Sequence, residues 1–142
     1  MTAKEYLRQI AALDAKIKRR KQQLEELKHL AAVSRSPSDI TPDKVQTSLE
    51  GDRMAAIIAE WVDIEREIDD DIDKLVRAKH RIITEIHQLK EPRYIQILEY
   101  RYIDLMTFED IAAMMSVALR HVYRLHGGAL EAFRKDVIEC HH

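Results

Sequence analysis

Tyr6, Ile10, Leu13, Ile17, Arg20, Leu24, Leu27 and Ala31 follow one another at alternating spacings of four and three. An apolar repeat averaging 3.5 residues is buried only as a stripe along one side of an α-helix, against a second helix with a matching stripe. The partner stripe lies further along the chain: Ile57, Trp61, Ile64, Ile68, Ile72, Leu75, Lys79, Ile82, Ile86 and Leu89. Its step from 68 to 72 departs from the heptad and predicts a stutter that locally unwinds the coil. Arg20 is the one polar interruption of the first stripe. Helices are therefore expected over residues 3–31 and 52–89. The first opens on Thr2-Ala3-Lys4-Glu5, a capping box in which hydroxyl and carboxylate each satisfy an orphan amide. Between them, residues 33–51 are rich in turn formers and nearly aperiodic, which predicts a long loop.

Charge distinguishes the two segments. Residues 1–30 carry eight Lys/Arg against four Asp/Glu, and residues 52–91 carry seven against eleven, giving +4 and −4. Opposite signs favour an antiparallel hairpin whose paired positions sum to about 84. That register sets Lys16, Lys18, Arg19, Arg20 and Lys21 against Asp63, Glu65, Glu67 and Asp69. Exposed ion pairs contribute only about 0–1 kcal/mol each, so apolar burial has to hold the hairpin while charge chooses its orientation. The run Asp69-Asp70-Asp71 with Asp73 is expected to form a solvated helix face, and Trp61 a seam residue packed on the first helix. Leu7, Leu30, Ile58, Val76 and Ile83 fall off the seams, and they predict self-association as a homodimer.

Glu91-Pro92 ends the second helix, because proline lacks an amide donor and restricts the residue before it. A third helix is expected from Arg93 to Leu105, and Thr107, with Asp110 three residues on, caps a fourth. Phe108 to Gly127 then carries the apolar pattern of a helix-turn-helix. Ile111 and Ala112 face inward on its first helix, Ser116 takes the tight turn, Val117 points inward, and Val122 and Leu125 form the buried stripe of the second. Leu119, Arg120, His121, Tyr123 and Arg124 are left facing outward as candidate DNA-contacting residues. From 119 to 126 there are two Arg, two His and no acid, which suits phosphates and base edges. Arg120 is the expected base reader and Arg124 contacts a base or a phosphate. Gly127-Gly128 is expected to weaken or kink this helix.

Met106-Thr107-Phe108-Glu109-Asp110-Ile111-Ala112, with Leu119-Arg120-His121-Val122-Tyr123-Arg124-Leu125-His126-Gly127 and Ala129-Leu130, resembles region 4 of sigma-70-family factors. The stretch is closer still to small phage and prophage proteins that join such a region to an N-terminal helical segment, the ArpU-like late-gene regulators. Thr2 to Leu7 and Arg93-Tyr94 to Arg101-Tyr102 resemble the same group. The resemblance implies promoter recognition on double-stranded DNA and contact with RNA polymerase. Where relatives commonly carry Arg, this chain has Gly128.

The expected protein is thus all-α: a long antiparallel helical hairpin (coiled coil) over residues 1–90, then a helix-turn-helix domain over 91–142, acting as a DNA-binding transcription regulator. Two other readings stay open: a phage packaging DNA binder of small-terminase type, and a polymerase-binding factor without DNA contact. No nucleophile-base pair, phosphate loop or metal-ligand spacing is present, so neither an enzyme nor a cofactor is expected. A frayed tail is expected at Cys140-His141-His142. No run approaches the ~20 apolar residues of a membrane span. The lone cysteine, Cys140, cannot close an internal disulfide, which fits a cytoplasmic setting.

Overall fold

The computed structural model describes residues 1–34 and 44–141. Among these the fold is all-α, with no strand. Helices α1 (Ala3–Leu7) and α2 (Gln9–Ser34) follow one path, since the Arg8 amide still reaches the Lys4 carbonyl at 3.0 Å. Both halves of the Thr2–Glu5 capping box form, each at 3.1 Å. Helix α3 runs from Lys44 to Ile86. It begins eight residues before the expected start, so residues 44–51 and 33–34 are helical where a loop was expected; the rest of that loop, 35–43, lies outside the described residues. Extending an existing helix adds one hydrogen bond per residue without a new nucleus, and this outweighs weak local propensity. After Ile86 the chain tightens: the amides of Gln88 and Leu89 bond three residues back, to Glu85 and Ile86.

Two compact units divide the chain elsewhere than at residue 90. One comprises Met1–Asp14 with Lys74–His142, the other Ala15–Asp73.

Within Ala15–Asp73, α2 and α3 run in opposite directions, as the sequence of cross-helix contacts shows. Lys16 meets Asp71 at 3.6 Å, Arg20 pairs with Glu67, and the Lys28 ammonium sits 5.4 Å from the Trp61 ring centre. These pairs sum to 87 or more, so the register is shifted from the expected 84 by nearly a helical turn. Leu24, Ile64 and Ile68 are buried there, with Leu27 and Trp61 packed against them. The shift has an identifiable cause. From Ile57 to Ile82 the buried positions on α3 are Ile57, Ile64, Ile68, Asp71, Ala78 and Ile82, an uninterrupted heptad over that span, while Ile72 is 36% exposed. The expected stutter is therefore absent. Asp71 stands on the seam, only 3% exposed, and its partner is Arg20, the polar interruption of the other seam. The two polar breaks face each other. Arg20 Nε lies 2.9 Å from Asp71 Oδ2 but off the N–H axis, so the contact is an ion pair and not an aligned hydrogen bond. Asp71 thus leaves the solvated face to which the sequence pattern assigned it. A single polar pair on an apolar seam fixes register, because any slip strands a charge.

Within the other unit, α4 (Pro92–Leu98), α5 (Phe108–Met115) and α6 (Leu119–Phe133) pack with α1 and the end of α3 around one core. Leu7 and Ile10, Ile82 and Ile86, Ile97 and Leu98, Ile111, Val122 and Phe133 are all fully buried. The expected helix 93–105 stops at Leu98 and widens into a π-turn, Glu99–Ile103, closed by the Asp104 amide on the Glu99 carbonyl at 2.9 Å. Leu105 then takes φ 56°, which reverses the chain ahead of α5. At the C-terminal end a second π-turn, Arg134–Ile138, leads into α7 (Glu139–His141), so residues expected to fray are helical as far as His141.

Neither glycine breaks α6. A methyl group on Gly127 would meet nothing within 4 Å, whereas one on Gly128 would lie 2.6 Å from the Tyr94 hydroxyl. Gly128 is thus the point where Tyr94 approaches the helix. Gly127 only costs backbone entropy, so Gly127→Ala is expected to stabilise the chain by about 0.5–1 kcal/mol. The check is a denaturant midpoint, and an unchanged or lowered midpoint would contradict it.

Candidate nucleic-acid interface

Helices α5 and α6 are joined through Ser116, at φ 57° and ψ 43°. A left-handed non-glycine residue costs roughly 1–2 kcal/mol, so the turn is held by packing. Its amides bond back to α5, Ser116 to Ala113 at 3.3 Å and Val117 to Ala112 at 3.1 Å. The Thr107 hydroxyl accepts from the Asp110 amide at 3.1 Å and starts α5. Ala118 starts α6 with no side-chain cap, which leaves amides at the N-terminus of α6 open toward solvent.

Val122, His126, Ala129 and Phe133 form the buried stripe of α6, at spacings of four, three and four. Arg120 and Arg124 are exposed on the opposite side, Leu119 at the start of the helix and Tyr123 at the flank are exposed as well, and His121 is half-buried. Arg120 and Arg124 stand one turn apart, and neither has an ion-pair partner among the described residues. Tyr123, 50% exposed, rests edge-on against Phe108 at 5.1 Å. Phe108 is covered in turn by the Arg101 guanidinium at 4.1 Å, and Arg101 Nη1 donates to the Met106 carbonyl at 2.9 Å.

His126, one of the two histidines in the acid-free stretch 119–126, is only 8% exposed. Its Nε2 lies 2.7 Å from the Tyr102 hydroxyl, and Phe108 meets its ring edge-on at 4.9 Å. Burial, helped by the nearby Lys4 and Arg101 charges, lowers its pKa from 6.5 to about 4. Burial also raises the pKa of Tyr102, so the phenol stays protonated and donates to a neutral ring. The helical spacing already carried this signal: 126 is four residues after the buried Val122 and so shares its face.

The lowered pKa has a consequence for stability. In the unfolded chain His126 takes up a proton near pH 6.5; in the fold it resists until about pH 4. Stability is therefore fully present above the unfolded value and falls as pH drops through that window, by about 2 kcal/mol at about pH 5. Urea unfolding at about pH 7.5 and 5 should show this drop, and His126→Gln, which still accepts from Tyr102, should flatten it. An equal drop in the variant would assign the loss to other groups.

A family model described as a protein of unknown function, DUF1492, matches residues 34–134. The chain belongs to the DUF1492 family. The matched stretch takes in α3 to α6, so in this DUF1492 protein the outward face of α6 lies inside the family region, and α1 and nearly all of α2 lie outside it. No curated protein and no solved structure matches the chain.

No helix among the described residues is long and apolar enough to cross a membrane. Among them no three metal-ligating side chains converge.

Proposed function

We propose that this DUF1492 protein is a DNA-binding transcription regulator, with α5 and α6 acting as a helix-turn-helix whose second helix enters the major groove. The observation that carries the reading is the division of α6: Val122 and Phe133 anchored in the core, Arg120 and Arg124 exposed and unpaired on the far side. An arginine presents a planar fork that grips guanine O6 and N7 through two hydrogen bonds. Tyr123 and the open amides at the start of α6 supply phosphate contacts. The resemblance of residues 106–130 to sigma-70 region 4 supports promoter DNA as the target and RNA polymerase as a partner in the complex. With few cations on the face, sequence-independent affinity is low, and two recognition helices of a homodimer raise it.

Selection of bound sequences from a random duplex pool tests this reading. A defined motif is expected to emerge, with guanine at a fixed place and, for a dimer, an inverted repeat. Recovery of unenriched sequence after successive rounds would overturn it.

A further inference from the structure

Beyond α6, a second pair of arginines meets at the junction of α1 and α2. Arg8 and Arg101 line one cavity of about 210 Å³ with Ala11, Tyr102 and Leu105. No carboxylate lines it, and neither arginine has an ion-pair partner among the described residues. Arg101 is fixed by its hydrogen bond to the Met106 carbonyl and by stacking on Phe108, while Arg8 is exposed. Lys4 stands one helical turn before Arg8. Its charge, with that of Arg101, bears on His126, and the charges of Arg8 and Arg101 bear on Tyr102. Cations thus gather around the Tyr102–His126 pair, and none of Lys4, Arg8 and Arg101 has an ion-pair partner among the described residues. Like charges held together repel, and an anion seated between them relieves the repulsion.

A chain of side-chain contacts joins the cavity to the proposed DNA face. Tyr123 meets Phe108 at 5.1 Å, Phe108 meets Arg101 at 4.1 Å, and Arg101 lines the cavity together with Arg8. Helix α1 itself packs against α6. We infer that Arg8, together with Arg101, forms a phosphate seat at the α1–α2 junction, where the N-terminal helix grips the backbone of the same duplex that α6 reads. This deepens the proposed function and rests on it. Arg8 lies outside the residues matched by the family model, so the seat is a property of this chain's own N-terminal segment.

The test follows the salt dependence of duplex binding in the full chain, by fluorescence anisotropy on a selected site and on a scrambled duplex. Each neutralised phosphate adds about 0.9 to the slope of log K against log salt. Arg8→Gln is expected to make the slope shallower by about that amount and to weaken both duplexes by the same factor, leaving their ratio unchanged. Arg8→Lys keeps the charge and should keep the slope. Three results would overturn the seat: an unchanged slope and affinity in Arg8→Gln, an equal loss in Arg8→Lys, or a loss confined to the selected site. The α6 reading is scored separately by Arg120→Ala with Arg124→Ala, which should erase the ratio between the duplexes. A parent chain that binds neither duplex would overturn both the seat and the DNA reading; a fault at Arg8 alone overturns only the seat.

Discussion

Arg120→Ala combined with Arg124→Ala is expected to abolish discrimination between a selected site and scrambled DNA while leaving the helical fold intact. Each bidentate arginine–guanine contact contributes about 1–3 kcal/mol of discrimination, so losing two brings the ratio close to unity. Stability should hardly change, because both side chains are exposed and have no ion-pair partner among the described residues. Val122, which anchors the same helix, is fully buried and is untouched by the change. The measurement is a pair of binding isotherms per variant, with circular dichroism as the folding control. If the folded double variant discriminates as well as the parent, α6 is not the reader, and the polymerase-binding alternative becomes the stronger account.

A fragment of residues 91–142 is expected not to fold cooperatively by itself. The sequence pattern marks it as a domain, yet much of the core that it needs comes from elsewhere in the chain. Leu7 and Ile10 come from the N-terminal segment, and Ala78, Ile82, Ile86 and Leu89 from the end of α3; all are buried in the same cluster as Ile97, Ile111, Val122 and Phe133. Tyr6 packs its ring 5.9 Å from that of Phe133, and its hydroxyl donates to buried Glu85 at 2.5 Å. Removing these partners exposes fully buried side chains, each worth about 1.5–3 kcal/mol of burial, and the loss of several exceeds the stability of a small domain. Circular dichroism of the fragment should show little helix and no sigmoidal melt. A cooperative melt like that of the intact chain would restore residue 90 as a domain boundary.

The same dependence links fold to function. Helix α1 packs on α6, where Tyr6 sets its ring 5.9 Å from that of Phe133. The N-terminal segment is therefore both a structural support for α6 and, through Arg8, a neighbour of the surface that α6 presents.

Sequence alone determined the all-α class, the first heptad seam and the second as far as Ile68, the Thr2 and Thr107 caps, and the exposure of Leu119, Arg120, Tyr123 and Arg124. Each of these follows from spacing on a single helix or from contacts within one turn, where geometry is fixed by 3.6 residues per turn and by local hydrogen bonds. The tertiary structure decided the rest, because each remaining feature depends on what lies opposite. Asp71 reads as one of three solvated acids until Arg20 faces it, and that pairing removes the stutter and shifts the register. His126 reads as a cation for phosphate until Tyr102 and Phe108 enclose it. Gly128 reads as a helix breaker until Tyr94 is found against it. The extent of the unit around α6 depends on contacts more than seventy residues apart, such as Tyr6 with Glu85, and no local pattern encodes a pairing across that distance.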